Sequence, residues 1–226
     1  MALKKNDFIE IEFTGRLKEG GVFDSNIKED LEKAGLKLEA KPFSFPLGQG
    51  MFLKGIDNFL IDKGVEKEYE LEIQPEDAFG VRDSKLVQMI PMNVFIQHKI
   101  NPIQGSVFNF DGRMAKVLSV SGGRVMVDFN NPLSGKVVIY KLKVLRKIEE
   151  MNEKISLLNN FLFKKNFKFD IQGKKLLMEV EKPLLDFVKL FSDKFKEIFG
   201  LELELKEAKE EKEKEKTVKD NNIQNQ

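Results

Sequence analysis

Two short stretches, far apart in the chain, hold complementary parts of one arrangement, and this constrains the fold more than any other feature. The first reads Glu12-Phe13-Thr14-Gly15 and then Val22-Phe23-Asp24-Ser25-Asn26. The second reads Leu53-Lys54-Gly55-Ile56 and then Pro75-Glu76-Asp77-Ala78-Phe79-Gly80. Apolar rings and aliphatic groups stand beside one isolated carboxylate, and glycines mark the bends. A fold that brings the two stretches together makes an apolar pocket with a single polar handle. That inventory does not suit acid/base chemistry in water.

Composition narrows the function classes. Thirty-eight basic residues nearly cancel 37 acidic ones, which gives no electrostatic case for nucleic acid. The chain has no cysteine, so disulfides and thiolate metal sites are excluded. One histidine, His98, leaves no His-rich metal cluster and few routes to histidine-based catalysis. No metal or cofactor is expected. Lys4 and Lys5 are not followed by an apolar run of the secretory type, and no stretch is apolar enough to cross a bilayer. The expectation is a soluble, cytoplasmic protein. Twenty phenylalanines with no tryptophan predict cores packed by Phe.

Periodicity divides the 226 residues into four pieces. Phe8 to Phe13, Val22-Phe23, Pro42 to Leu47 and Tyr69 to Ile73 read as strands, with Pro46 marking an edge or bulge. Asp30 to Ala34 reads as a short helix closed by Gly35. Met51 to Lys63 reads as a longer one, capped by Gly64. From Leu86 to Phe129 the chain becomes a run of short strands, with turns at Asp111-Gly112 and Gly122-Gly123. Val137 to Val144 is a strand that returns to the first module. Residues 86–129 then form a small all-β domain inserted into a module made of 1–85 plus 130–148. Residues 152–206 read as a third, α-β-β-α-β domain: a helix from Ile155, a hairpin turning at Gln172-Gly173, a helix from Pro183 to Gly200, and a strand of alternating Leu201, Leu203 and Leu205. Residues 207–226 are a charged tail expected to be disordered.

The ordered motifs resemble those of the FKBP-type peptidyl-prolyl isomerases, in their long archaeal form with the inserted domain also found in SlyD chaperones. The resemblance covers residues 1 to about 148 and implies an α+β fold, an antiparallel sheet wrapped on a helix. Carried over motif by motif, it places Phe13, Phe23, Asp24, Phe43, Phe52, Leu53, Ile56, Phe79 and Tyr140 in the isomerase pocket. Phe43 belongs to the Pro-Phe-x-Phe strand that continues to Phe45. Asn130-Asn131-Pro132-Leu133-Ser134-Gly135-Lys136 is similar to the family's Asn-His-Pro-Leu-Ala-Gly-Lys. The departures are Phe13 and Phe79, each in place of Tyr, Ile56 in place of Trp, and Asn131 in place of His.

The resemblance implies a prolyl isomerase and folding chaperone. Its partners would be unfolded proteins and proline-containing peptides. A binding surface for unfolded clients is expected on the insert at Met89, Ile90, Met92, Val94, Phe95 and Ile96, where flexible thioethers suit promiscuous contact. The same residues also read as the insert's own core. The competing reading is a non-catalytic holdase with a degenerate pocket. That competing reading is also a dimeric binding module, and the Leu201-Leu203-Leu205 strand, read as an unpaired edge, offers a homodimer through the C-terminal domain as a further hypothesis.

Overall fold

The structure, a computed structural model, describes residues 2–110 and 112–208. Asp111 and the expected tail from residue 209 onward lie outside the described residues. The chain divides into two units, Met1–Glu149 and Glu150–Gln226.

In the first unit, β1 (Phe8–Leu17) and β9 (Val138–Ile148) are the spine, antiparallel from Phe8↔Ile148 to Leu17↔Val138. β4 (Glu68–Ile73) borders β9 on its far side. The other edge of β1 is shared: β3 (Phe43–Pro46) pairs with residues 8–11, and β2 (Val22–Ser25) pairs with residues 14–16. Alternation puts Val138, Tyr140, Leu142 and Val144 of β9 in the core with Ile9, Ile11 and Phe13 of β1. α1 (Lys28–Ala34) ends at Gly35 in the left-handed region, and α2 (Lys54–Leu60) buries Ile56 and Leu60.

α2 is shorter than the expected 51–63. Leu53 is still extended, at φ −65° and ψ 136°, and Ile61 leaves the helix. The N-terminal segment captures the backbone groups that would continue it. Asp62 N–H donates to the Leu3 carbonyl at 2.8 Å, and Leu3 N–H to the Lys63 carbonyl at 2.9 Å. Gly64 is therefore no C-cap; its N–H and C=O both bond the Tyr69 hydroxyl.

Between β4 and β9 the chain builds a separate sheet in the order β5-β8-β7-β6: β5 (Val87–Pro91), β6 (Val107–Phe110), β7 (Arg113–Ser121) and β8 (Arg124–Asp128). It is not all-β. Met92–Gln97 forms a helix, α3, starting after Pro91 at φ −61°. The apolar run 87–96 reads equally as buried strand or buried helix, since continuous hydrophobicity carries no period. Packing decides: Phe95 is wholly buried against Ala115, Val117, Val125 and Val127.

The second unit holds α4 (Met151–Phe163), β10 (Lys168–Gln172), β11 (Lys175–Val180), α5 (Leu185–Lys189), α6 (Ser192–Phe199) and β12 (Glu202–Glu207). β11 is central, antiparallel to β10 and parallel to β12. α4 begins four residues before the expected Ile155. The single helix expected from Pro183 to Gly200 is instead a 3₁₀ turn at Lys182–Leu184 followed by α5 and α6. The break at Leu190-Phe191 uses i→i−3 bonds, which lets Phe187 and Phe191 both pack on Phe163. The tail boundary also moves, because β12 includes Glu207 and Ala208 N–H donates to the Val180 carbonyl at 2.9 Å.

Candidate functional site

One continuous chain of rings runs across the core-facing side of the β1–β9 spine. Phe79 meets Phe23 edge-on at 5.6 Å, and Phe23 meets Tyr140 at 5.9 Å. Tyr140 meets Phe13 and Phe52, each at 5.8 Å. Phe52 lies 5.0 Å from Phe13, 5.4 Å from Phe43 and 5.6 Å from Phe45. Edge-to-face pairs of this kind add about 0.5–1.5 kcal/mol each beyond burial, so the wall is held in one arrangement. Phe13, Tyr140 and Ile56 are buried beneath, while Phe23, Phe43, Phe52, Leu53 and Phe79 keep part of their surface in water. The ring contacts thus join six of the nine pocket residues expected from sequence, Phe13, Phe23, Phe43, Phe52, Phe79 and Tyr140, and add Phe45. Ile56 is the first buried residue of α2, and Leu53 is its N-cap.

Gly15 makes this approach possible. It sits between Asp24 on β2 and Tyr140 on β9. A Cβ there would lie 2.8 Å from Tyr140 Cζ and 3.0 Å from Phe23 Cζ. The rings close over bare backbone. Asn26 fixes the other end of β2. Its Oδ1 accepts the Phe13 N–H at 2.7 Å and its Nδ2 donates to the Ile11 carbonyl at 2.9 Å. One carboxamide thereby stands in for a strand partner. Neither residue was singled out as functional from sequence, although both lie inside the quoted motifs.

Asp24 is half-buried, and among the described residues no Lys or Arg pairs with it. Burial holds its carboxyl above the ordinary value of 3.8, partly offset by the Ser25 backbone N–H. Burial, and then the Asp24 charge, also push the Tyr140 phenol above its usual range. Asp57 of α2 was missed too. It is 3% exposed, and its Oδ2 accepts the Gly50 N–H at 2.9 Å, tying down the loop that delivers Phe52. The Leu53 N–H has no acceptor among the described residues.

The six insert residues expected to grip clients do not share a surface. Phe95 is core, and Ile90 and Met92 pack against that core. Met89 is 55% exposed and Ile96 67% exposed, on different elements. The register reveals another grouping. Met89 pairs with Met126, and Asn109 with Met114, on the face away from Phe95. Val87 and Val107 lie on the same face. This outer face therefore carries three methionines from three strands, with Met114 58% exposed.

Rings carried by β1, β2, β3, β9 and the two loops that hold Phe52 and Phe79 thus converge on one aromatic cluster, with the half-buried carboxylate of Asp24 near Tyr140. The family model described as FKBP-type peptidyl-prolyl cis-trans isomerase matches residues 1–101, and one described as FKBP26, IF domain, matches residues 88–133. The short-type peptidyl-prolyl cis-trans isomerase of Methanocaldococcus jannaschii is 30% identical over 145 residues, 63% of this chain and 92% of that protein. The FKBP-type isomerase SlyD of Helicobacter pylori is 28% identical over 137 residues, 59% of this chain and 68% of that protein. The FKBP-type 16 kDa isomerase of Escherichia coli is 27% identical over 149 residues, 64% and 93% respectively. The chain belongs to the FKBP-type peptidyl-prolyl cis-trans isomerases.

Proposed function

We propose that the ring cluster around Gly15 is the isomerase site, and that it acts on X–Pro bonds of unfolded chains held by the inserted sheet. The ring contacts converging over Gly15, with Asp24 half-desolvated at their rim, carry this reading. The X–Pro bond resists rotation because resonance gives it double-bond character, a barrier of roughly 18–20 kcal/mol. The planar amide is the charge-separated form and water stabilises it; the twisted form has lost that separation. Moving the bond into a dry aromatic site disfavours the planar state more than the twisted one. The proline ring sits among Phe23, Phe52, Leu53, Ile56 and Tyr140. The Leu53 N–H receives a substrate carbonyl, and Asp24 orients the twisting one. No covalent step is involved. Phe13 and Phe79 offer no hydroxyl, so burial rather than side-chain hydrogen bonding holds the substrate.

Client capture falls to the insert, residues 86–129, through its outer face of Met89, Met114 and Met126 with Val87 and Val107. The host domain is 1–85 plus 130–148, and the third domain, expected over 152–206, takes in 151–208. β12 pairs with β11 alone among the described strands, which supports a homodimer through that edge. Sedimentation of the full chain against one ending at Glu150 checks this.

The site is tested by the slow, proline-limited refolding of a client protein. Asp24→Leu and Phe52→Ala should each lower the catalysed rate about ten-fold or more, as expected when a transition-state contact is removed. Wild-type rates for both would show that the site lies elsewhere. A pocket without turnover, the holdase reading, would instead leave the wild-type protein unable to accelerate that phase while still suppressing aggregation.

A further inference from the structure

The insert joins its host through two chain crossings, residues 80–86 and 129–137, and one side chain ties them together. Asn130 Oδ1 accepts the Asp83 N–H at 2.9 Å, and Asn130 Nδ2 donates to the Asp83 carbonyl at 2.9 Å. The same Nδ2 donates to Asp128 Oδ1 at 2.7 Å, which also takes the Asn130 N–H. Arg82 Nη2 lies 2.6 Å from Asp128 Oδ2, so the opposite linker closes the network. On the insert side, Phe129 N–H donates to the Leu86 carbonyl at 2.9 Å. On the host side, Gly135 N–H donates to the Gly80 carbonyl at 2.8 Å and Ser134 Oγ to the Phe79 carbonyl at 3.0 Å. The network therefore runs from Asp128, on the insert's outer face with Met126, to Phe79 in the ring cluster.

We propose that Asn130 is a positioning residue: its carboxamide locks the two linkers and fixes the bearing of the client-holding face relative to the isomerase pocket. A primary amide suits the task because it accepts from one residue's N–H and donates to the same residue's C=O, as a neighbouring strand would. Asp lacks the donor. Asn130 is 9% exposed and belongs to neither hydrophobic core, so it joins the lobes without building either. The inference rests on the proposed division of labour between insert and pocket. A tether delivers client prolines at an effective concentration set by its geometry, and a loosened one delivers them at a lower concentration.

The test uses the full chain with Asn130→Ala, Asn130→Asp and Arg82→Ala, beside a control lacking residues 87–129. Four quantities are read: tetrapeptide turnover, affinity for a permanently unfolded client, catalysed refolding of a protein substrate, and the tumbling of insert and host by NMR relaxation. Asn130→Ala should leave the first two unchanged, lower the third about five-fold, and make the lobes tumble separately. Asn130→Asp should match it, because it retains size and acceptor but turns a carboxylate towards Asp128. Arg82→Ala, which removes one arm at the rim, should show a smaller loss. The inference is overturned if Asn130→Ala leaves tumbling and refolding as in the wild type while the control loses refolding activity. It is equally overturned if Asn130→Ala lowers tetrapeptide turnover or client affinity along with refolding, since that marks a residue of general stability. If the control itself refolds the client at the wild-type rate, the division of labour fails first.

Discussion

The ring cluster is apolar throughout, whereas the insert's outer face sets its methionines and valines among Asn109, Lys116, Arg124 and Asp128, and the two are built on opposite principles. In the cluster every ring is held by another ring, and Gly15 removes a side chain so that two of them can close in. On the insert face the apolar groups are thioethers and valines on separate strands, and Arg124 approaches the Met89 sulfur at 3.7 Å. The cluster spends its freedom in advance, which suits a site that must distinguish a planar from a twisted bond. The face retains its freedom, which suits contact with many unrelated chains. Apolar exposure alone does not separate the two roles. What separates them is how far neighbouring groups fix each side chain.

The sharpest way to break this comparison is Gly15→Ala. The added methyl meets Tyr140, which is 1% exposed and cannot retreat. Overpacking should destabilise the fold by about 1–3 kcal/mol. Tetrapeptide turnover should fall roughly 100-fold, as expected when a preorganised wall is displaced by part of an ångström. Retained turnover would mean that the cluster tolerates disorder as the insert face does. Changing Met89, Met114 and Met126 together to Ser should weaken client binding about ten-fold through lost apolar burial, with tetrapeptide turnover unchanged. Isothermal titration against an unfolded client measures this; equal losses on both substrates would join the two regions into one site.

Asp24 gives a smaller effect with a definite sign. Its folded pKa is raised by burial above 3.8, so the folded state binds more protons than the unfolded one between those two values. Stability therefore falls as pH rises through that window and stays lower above it. Asp24→Asn should remove this fall, leaving the variant slightly more stable than the wild type at pH 7, as melting curves against pH would reveal. A carboxylate retained at such a cost fits a role in turnover, and the variant should turn over tetrapeptide more slowly. The smallest change is expected from Met89→Leu with Met114→Leu. Volume is conserved, and client affinity should shift less than about two-fold. A larger loss would give the thioether itself a specific role.

Much of the fold was legible from residue order because burial writes a local period. Ile9, Ile11 and Phe13 alternate with Glu10 and Glu12, and the β1 strand follows. Gly35 and Gly200 announce helix ends, and both take positive φ. The failures have two causes. Where a segment is apolar throughout, as at 87–96, no period exists and α3 appears only once Phe95 finds its core. Where distant backbone competes, as Leu3 does for Asp62 and Lys63, a helix stops before its local pattern does.

Residue order alone determined which side chains must leave water and where the chain must turn, because hydropathy and backbone sterics act on neighbours. Only the tertiary structure decided that Gly15 lies under two rings, that three methionines from three strands share a face, and that Asn130 bridges two linkers. Those facts depend on strand register and on contacts between residues tens of positions apart, and no local pattern encodes which partner a strand or a carboxamide meets.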